Sequence, residues 1–292
     1  MRRMAIMSVV VSTGVPLLII LAMVVVGLEL TPADLSRVLH YPAQVIVALL
    51  CQVLILPLLA AALILFLRPA PAIAGGLILA AAAPQAMTSN YFCLLARADV
   101  ALSVTLTAAS SVLAVASTPL IAGLAFDWLA EQQAGFVLPI EKVIQQIVTG
   151  LLFPAGVGML VRYYAPAFTE HNRVRFQRLS VLALAAMLAI ILTDQAATIE
   201  RNLASIVVAS ALFTAGAAAL GLGVAKVMSW NRADTITMLA AFPSRSLSVA
   251  ALIALNVLGR SDFLSFAATF YLVQVLLLVP VMLLARPASM DA

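Results

Sequence analysis

Apolar runs long enough to cross a lipid bilayer recur all along this chain, and the connections between them are short. A spanning helix needs roughly 20 consecutive apolar residues, because the hydrocarbon core is about 30 Å thick and a helix rises about 1.5 Å per residue. That rule predicts about nine spans, at approximately 9–30, 42–66, 72–96, 100–126, 143–162, 179–195, 203–228, 237–257 and 264–285. Composition agrees, with 64% of residues hydrophobic and only 10% charged. A soluble core cannot bury that much apolar surface, so lipid must be the solvent, and backbone polar groups must be satisfied within the chain. The expected fold is an all-α integral membrane protein, a single transmembrane domain over 1–292. The first run follows Arg2 and Arg3, as a secretory leader would. It is nevertheless long enough to span and lacks a small-residue cleavage pattern, so it reads as the first helix.

The net charge is +4, and the basic residues lie almost entirely between the apolar runs. Charge so placed sets topology, and no nucleic-acid partner is expected. Arg2, Arg3, Arg68, Lys142, Arg201 and Arg260 fall on one side; nine basic residues, among them Arg37, Arg97, Arg162, Arg173, Arg175 and Arg178, fall on the other. The bias predicts an outside N-terminus and a cytoplasmic C-terminus. A composition rich in Ala and Arg points to a bacterial inner membrane. Cys51 and Cys93 lie inside apolar runs and read as packing residues, while His40 and His171 fall in polar connections. No Gly-rich phosphate loop, nucleophile motif, hydrolytic carboxylate pair or metal-ligand spacing is present, so no enzyme, organic cofactor or metal centre is expected.

The third span contains Pro84-Gln85-Ala86-Met87-Thr88-Ser89-Asn90, and the eighth contains Pro243-Ser244-Arg245-Ser246-Leu247-Ser248. Proline removes a backbone donor and clashes with the preceding turn, so both helices are expected to break, at Pro84 and Pro243. By span order, repeat one (9–126) corresponds to repeat two (179–285), with the connecting helix (143–162) unpaired between them. One unpaired helix inverts the second unit, which is the inverted-repeat plan of many secondary transporters, where paired broken helices mark a site near the midplane.

Thr88, Ser89 and Asn90 follow the first break, and Ser244, Ser246 and Ser248 surround the second. Each either caps freed backbone or lines a site, and the residues alone leave both open. Ser103 and Thr107 share a helix face, yet such hydroxyls also bond their own backbone. Gln52 is a lone amide in an apolar span, either interhelical glue or a ligand. Gln145, Gln146 and Gln274 read as interhelical hydrogen bonders, and Gly156 and Gly158 beside Pro154 as close-packing residues.

Four stretches carry a family resemblance. They are Gly27-Leu28-Glu29-Leu30-Thr31-Pro32-Ala33-Asp34-Leu35 at the end of the first span, Gln52 and Pro57 in the second, and Pro84 to Asn90 in the third. The fourth runs Leu94-Leu95-Ala96-Arg97-Ala98-Asp99-Val100-Ala101-Leu102-Ser103-Val104, then Thr107 and Thr118-Pro119. On these residues the chain resembles the bile acid:sodium symporter family over nearly its whole length. The resemblance implies a nine-helix variant with a core bundle of spans two to four and seven to nine. It implies a panel bundle of spans one, five and six, and substrate in the cleft between. It also implies one sodium site at Ser89, Asn90, Ser103 and Thr107, and Gln52 as a ligand of another. Positions that hold a Glu and a Gln in the family's second broken helix here hold Ala241 and Arg245.

Arg stays protonated at any relevant pH, and one at mid-span costs about 2.5–3.5 kcal/mol on insertion scales. Residue 245 is about nine residues, roughly 13 Å, from either polar edge of its run, which makes snorkelling difficult. Glu29, Asp99 and Asp194 sit at span ends, so no mid-span carboxylate offers itself as a partner. A sodium ion about 5 Å away would be repelled by roughly 3 kcal/mol at an effective dielectric near 20. Arg245 is therefore expected to act as a tethered cation, replacing one sodium or binding an anionic substrate through its fork of donors. The plainer alternative is that it only satisfies carbonyls freed by the helix break.

The expected function is secondary active transport of a small organic anion by alternating access, with the lipid bilayer as the other partner. Sodium coupling and a sodium-independent or proton-linked mode both stand open. A ligand-sensing membrane receptor on a transporter fold is the alternative of another class. The sequence specifies no oligomeric state.

Overall fold

The computed structural model describes residues 10–29, 42–133 and 139–286. Arg2, Arg3, Arg37, His40, the stretch Leu30–Leu35 and the first residue of the first predicted span lie outside them. The described residues are mostly helical and form no strand, with one isolated bridge between Gln85 and Arg245. A π-helical turn, Val10–Gly14, leads into α1 (Val15–Glu29). There follow α2 (Pro42–Leu67), α3 (Pro71–Ala82), α4 (Thr88–Ala96) and α5 (Val100–Gln133). Next come α6 (Ile140–Tyr164), α7 (Pro166–His171), α8 (Arg173–Asp194) and α9 (Ala196–Val227). The last described helices are α10 (Arg232–Ala241), α11 (Leu247–Val257) and α12 (Leu264–Ala285).

Six helices, α2, α5, α6, α8, α9 and α12, are long and apolar enough to cross a membrane unaided. The other predicted spans fall on α1 with its preceding turn, on the pair α3–α4, and on the pair α10–α11. Outward-facing side chains such as Phe66, Leu276 and Leu284 are 82%, 72% and 85% exposed, as a lipid-facing surface requires. The protein is thus an all-α integral membrane protein.

Two connections are shorter than the sequence suggests. The stretch 163–178, left between the predicted spans 143–162 and 179–195, is nearly all helix: Pro166 opens α7 at its first position and Arg173 already lies in α8. Proline at a helix start loses no hydrogen bond, so here it begins an element instead of ending one. Likewise α9 begins at Ala196, so the polar residues Thr198, Glu200, Arg201 and Asn202 are helical.

α1 packs against α6 and α8, and the remaining long helices pack around the two broken pairs. The α1–α6 contact is made backbone to backbone. A Cβ on Gly27 would lie 2.0 Å from the Ala155 carbonyl oxygen, and one on Gly158 would lie 2.1 Å from that of Val24. Gly156, also expected to pack closely, faces open space with nothing within 4 Å of its Cβ position. α3 lies against α12, where Gly75 and Gly76 leave room for Phe263 and Phe266. Aromatic rings extend this contact, with Phe126 stacked on Phe263 at 5.8 Å and Phe266 on Phe270 at 5.8 Å.

Candidate functional site at the helix breaks

The two breaks form by different local routes. A residue before proline is pushed out of the helical region, and Ala83, before Pro84, is extended at φ −64°, ψ 150°. Phe242, before Pro243, keeps helical angles of −62° and −48°, so this chain leaves its helix only after the proline. The bridge consequently pairs Gln85, one residue past its proline, with Arg245, two past its own. The Ala86 N–H donates to the Ser244 carbonyl and the Ser246 N–H to the Pro84 carbonyl, both at 2.9 Å. Each break thereby satisfies backbone groups that the other leaves free.

The C-terminal carbonyls of α3 are taken by side chains. The Arg245 guanidinium donates to Ala81 at 3.3 Å and also to Ala83, and Thr118 donates to Ala82 at 2.8 Å. A cation here also opposes the negative end of the α3 dipole. Arg245 is only 5% exposed, and its other terminal nitrogen donates to Gln52 Oε1 at 2.9 Å. Its Nε has no partner among the described residues.

Gln52 in turn donates from Nε2 to Gln85 Oε1 at 3.2 Å. The Gln85 Nε2 faces Ser89 Oγ at 2.9 Å, Thr107 Oγ1 at 3.2 Å and the Ser103 carbonyl at 3.4 Å. Ser103 Oγ donates to Asn90 Oδ1 at 2.7 Å, and Thr107 Oγ1 lies 3.5 Å from the same oxygen. Ser89, Asn90, Ser103, Thr107 and Gln52 are therefore drawn into one network with Arg245. Gln85, at its centre, was not singled out from sequence, and neither was Ser110, which accepts the Gln85 backbone N–H at 3.2 Å.

Beside this network lies a cavity of about 190 Å³ between α1, α6 and α8 and the breaks. Ala22, Met23 and Val26 of α1 and Val181 and Leu184 of α8 give it one apolar wall. The other wall carries Ala86, Met87, Thr88, Ser246, Leu247 and Ser248, the residues that open α4 and α11. The N–H groups of Met87, Thr88, Leu247 and Ser248 donate to no intramolecular partner among the described residues. The Thr88 hydroxyl is likewise buried without a partner. Two helix N-termini with free donors thus border one cavity, an arrangement suited to an anion.

Of the residues expected to meet a substrate, Thr88, Ser246 and Ser248 line this cavity. Arg245 instead borders a tight space with Gln52, Ala83 and Ser110. Ser244 is turned away, donating to the Ala240 carbonyl at 2.7 Å and meeting Gln274 Nε2 at 3.4 Å. Asn90 faces the network. Gln146 accepts from Asn256 at 3.1 Å across helices. Cys51 and Cys93 are free thiols, and no cluster of metal-ligating side chains occurs among the described residues.

Fold and site together define a polytopic helical membrane protein with a cavity at two crossed helix breaks. Residues 16–202 match the Sodium Bile acid symporter family, and the chain belongs to that family, whose members are transporters and not enzymes. It is 30% identical over 218 residues to "Probable sodium/metabolite cotransporter BASS2, chloroplastic" of Oryza sativa subsp. japonica, covering 74% of this chain and 50% of that protein. It is 31% identical over 155 residues to the "Uncharacterized sodium-dependent transporter YocS" of Bacillus subtilis (strain 168), covering 53% of this chain and 46% of that protein. The "Probable sodium/metabolite cotransporter BASS1, chloroplastic" of Arabidopsis thaliana is 33% identical over 148 residues, covering 50% of this chain and 37% of that protein. The matches span half the length of these relatives or less.

Proposed function

We propose that the protein is a secondary carrier of small organic anions, each a carboxylate or sulfonate on an apolar body. The observation that carries this is the cavity at the breaks, where two half-helix N-termini with unpartnered N–H groups face an apolar wall. Free N–H donors and the positive ends of two helix dipoles favour the charged head. Met23, Val26 and Leu184 suit the apolar body. The cavity lies between α1 and α8 on one side and the crossed breaks on the other, so rocking one bundle against the other would expose it to each face in turn.

This membership of a transporter family, with relatives named as sodium/metabolite cotransporters, favours a carrier over a receptor. The two broken pairs also fit inverted repeats over 9–126 and 179–285, and the charge bias fits an outside N-terminus in a bacterial inner membrane. The test is uptake by the purified full chain in proteoliposomes, comparing labelled apolar carboxylates and sulfonates with their neutral amides. Saturable uptake of the anions alone is expected. Equal uptake of the amides, or none of either, would overturn the proposal.

A further inference from the structure

The oxygens around Gln85 Nε2 form a small polar chamber, and what fills it is a hydrogen-bond donor from the chain itself. A guanidinium has no acceptor, so Gln52 must turn its Oε1 toward Arg245, at 2.9 Å. The Gln52 Nε2 is then left for Gln85 Oε1, at 3.2 Å. That fixes Gln85 with its NH₂ group among Ser89 Oγ, Thr107 Oγ1 and the Ser103 carbonyl, at 2.9, 3.2 and 3.4 Å. Asn90 Oδ1, the remaining oxygen, is committed to Ser103 Oγ at 2.7 Å. The orientation of two carboxamides therefore follows from one charged residue on the opposite break.

A hard cation binds through oxygen lone pairs, and the ones gathered here are aimed at amide hydrogens. Turning Gln85 over would set its NH₂ against that of Gln52. Turning Gln52 as well would set its NH₂ against the guanidinium. Each step puts two donors face to face in a buried site, where an unmet hydrogen bond is costly. The second place at which a cation could sit, the carbonyl end of α3, is held by the guanidinium itself.

We propose that Gln85 and Arg245 act as built-in substitutes for sodium: the Gln85 amide fills one cation position, Arg245 fills the other, and the relay through Gln52 locks both. Gln85 is then a specificity-determining residue that excludes sodium from the crossing. The inference deepens the carrier proposal, since it states that the carrier works without sodium.

The experiment is thermal unfolding of the purified full chain in sodium, potassium and choline chloride at matched ionic strength, without substrate. The wild type should melt at the same temperature in all three salts. Gln85→Glu, which keeps the shape and when ionised only accepts, should gain a sodium-specific rise of about 2–4 °C at a pH where the carboxylate is ionised. Gln85→Gly, which empties the chamber, should do the same, and either variant serves if the other fails to fold. A sodium-specific rise in the wild type overturns the inference outright, and the wild-type result decides alone if neither variant folds. Folded variants as indifferent to sodium as the wild type overturn it for Gln85. Because the readout needs no substrate, it stands apart from the uptake test, and the failure of either proposal is recognisable separately.

Discussion

Arg245 and Gln52 are 193 residues apart in sequence and 2.9 Å apart in space, and the bond between them fastens the second break to α2. The same guanidinium serves the carbonyls of Ala81 and Ala83. Arg245→Gln shortens the side chain and removes the charge, leaving those acceptors without donors. Buried acceptors left unmet cost about 1–3 kcal/mol each, so a clear fall in melting temperature is expected. Organic-anion uptake measured in choline should drop at least about tenfold, equivalent to about 1.4 kcal/mol of lost stabilisation. Sodium should restore part of it. Uptake of normal rate and affinity in choline would remove Arg245 from the mechanism.

Thr88 separates binding from folding. Its hydroxyl is buried with no partner among the described residues, and it lines the cavity. Thr88→Val keeps the shape and removes a group that folding does not use, so the melting temperature should hold or rise slightly. A bond to a bound anion is worth about 1.5–3 kcal/mol, so apparent affinity should weaken by at least about tenfold. A variant with unchanged affinity would place the anion elsewhere in the cleft.

The α1–α6 contact gives a paired test. In Gly158→Ala the new methyl would lie 2.1 Å from the Val24 carbonyl oxygen, so the helices must move apart. Overpacking of this kind costs about 1–3 kcal/mol. In Gly156→Ala nothing lies within 4 Å, and the better helix former should stabilise by up to about 1 kcal/mol. Thermal unfolding in one detergent should therefore move in opposite directions for two substitutions only two residues apart.

Thr118 tests the end of α3. It donates to the Ala82 carbonyl at 2.8 Å and is fully buried. Thr118→Val should destabilise by about 1–3 kcal/mol, and Thr118→Ser, which restores the donor, should recover most of the loss. Equal melting temperatures for the two would mean that water or another donor reaches that carbonyl.

The breaks were legible because Pro84 and Pro243 interrupt apolar runs, and the span pattern follows from run length. What sequence could not supply was the pairing between distant side chains. The role of Gln85 depends on Gln52, 33 residues before it, and on Thr107, 22 residues after it. An amide next to a proline carries no local mark of that. Arg245 was conspicuous as a mid-span charge, but its distance from the cavity depends on which way the chain turns after Pro243. The helix at Pro166 falls in 163–178, between two predicted spans, where run length gives no signal for a helix too short to cross the bilayer. The proline's position just after a turn was the available signal for a start.

The backbone bonds from Ala86 to Ser244 and from Ser246 to Pro84 tie the two broken helices together. In an alternating-access cycle the guanidinium cannot stay behind when the crossing moves. A unit charge moved through the membrane potential exchanges about 2.3 kcal/mol per 100 mV with the field. On the proposed cycle, a monovalent anion aboard would cancel the Arg245 charge, and the voltage would do little work on the loaded stroke. Once the cargo had left, the Arg245 charge would make the return uncompensated. The resetting stroke is then the one that the membrane potential speeds or slows, whereas a carrier drawing its cations from solution meets the field mainly on its loaded stroke.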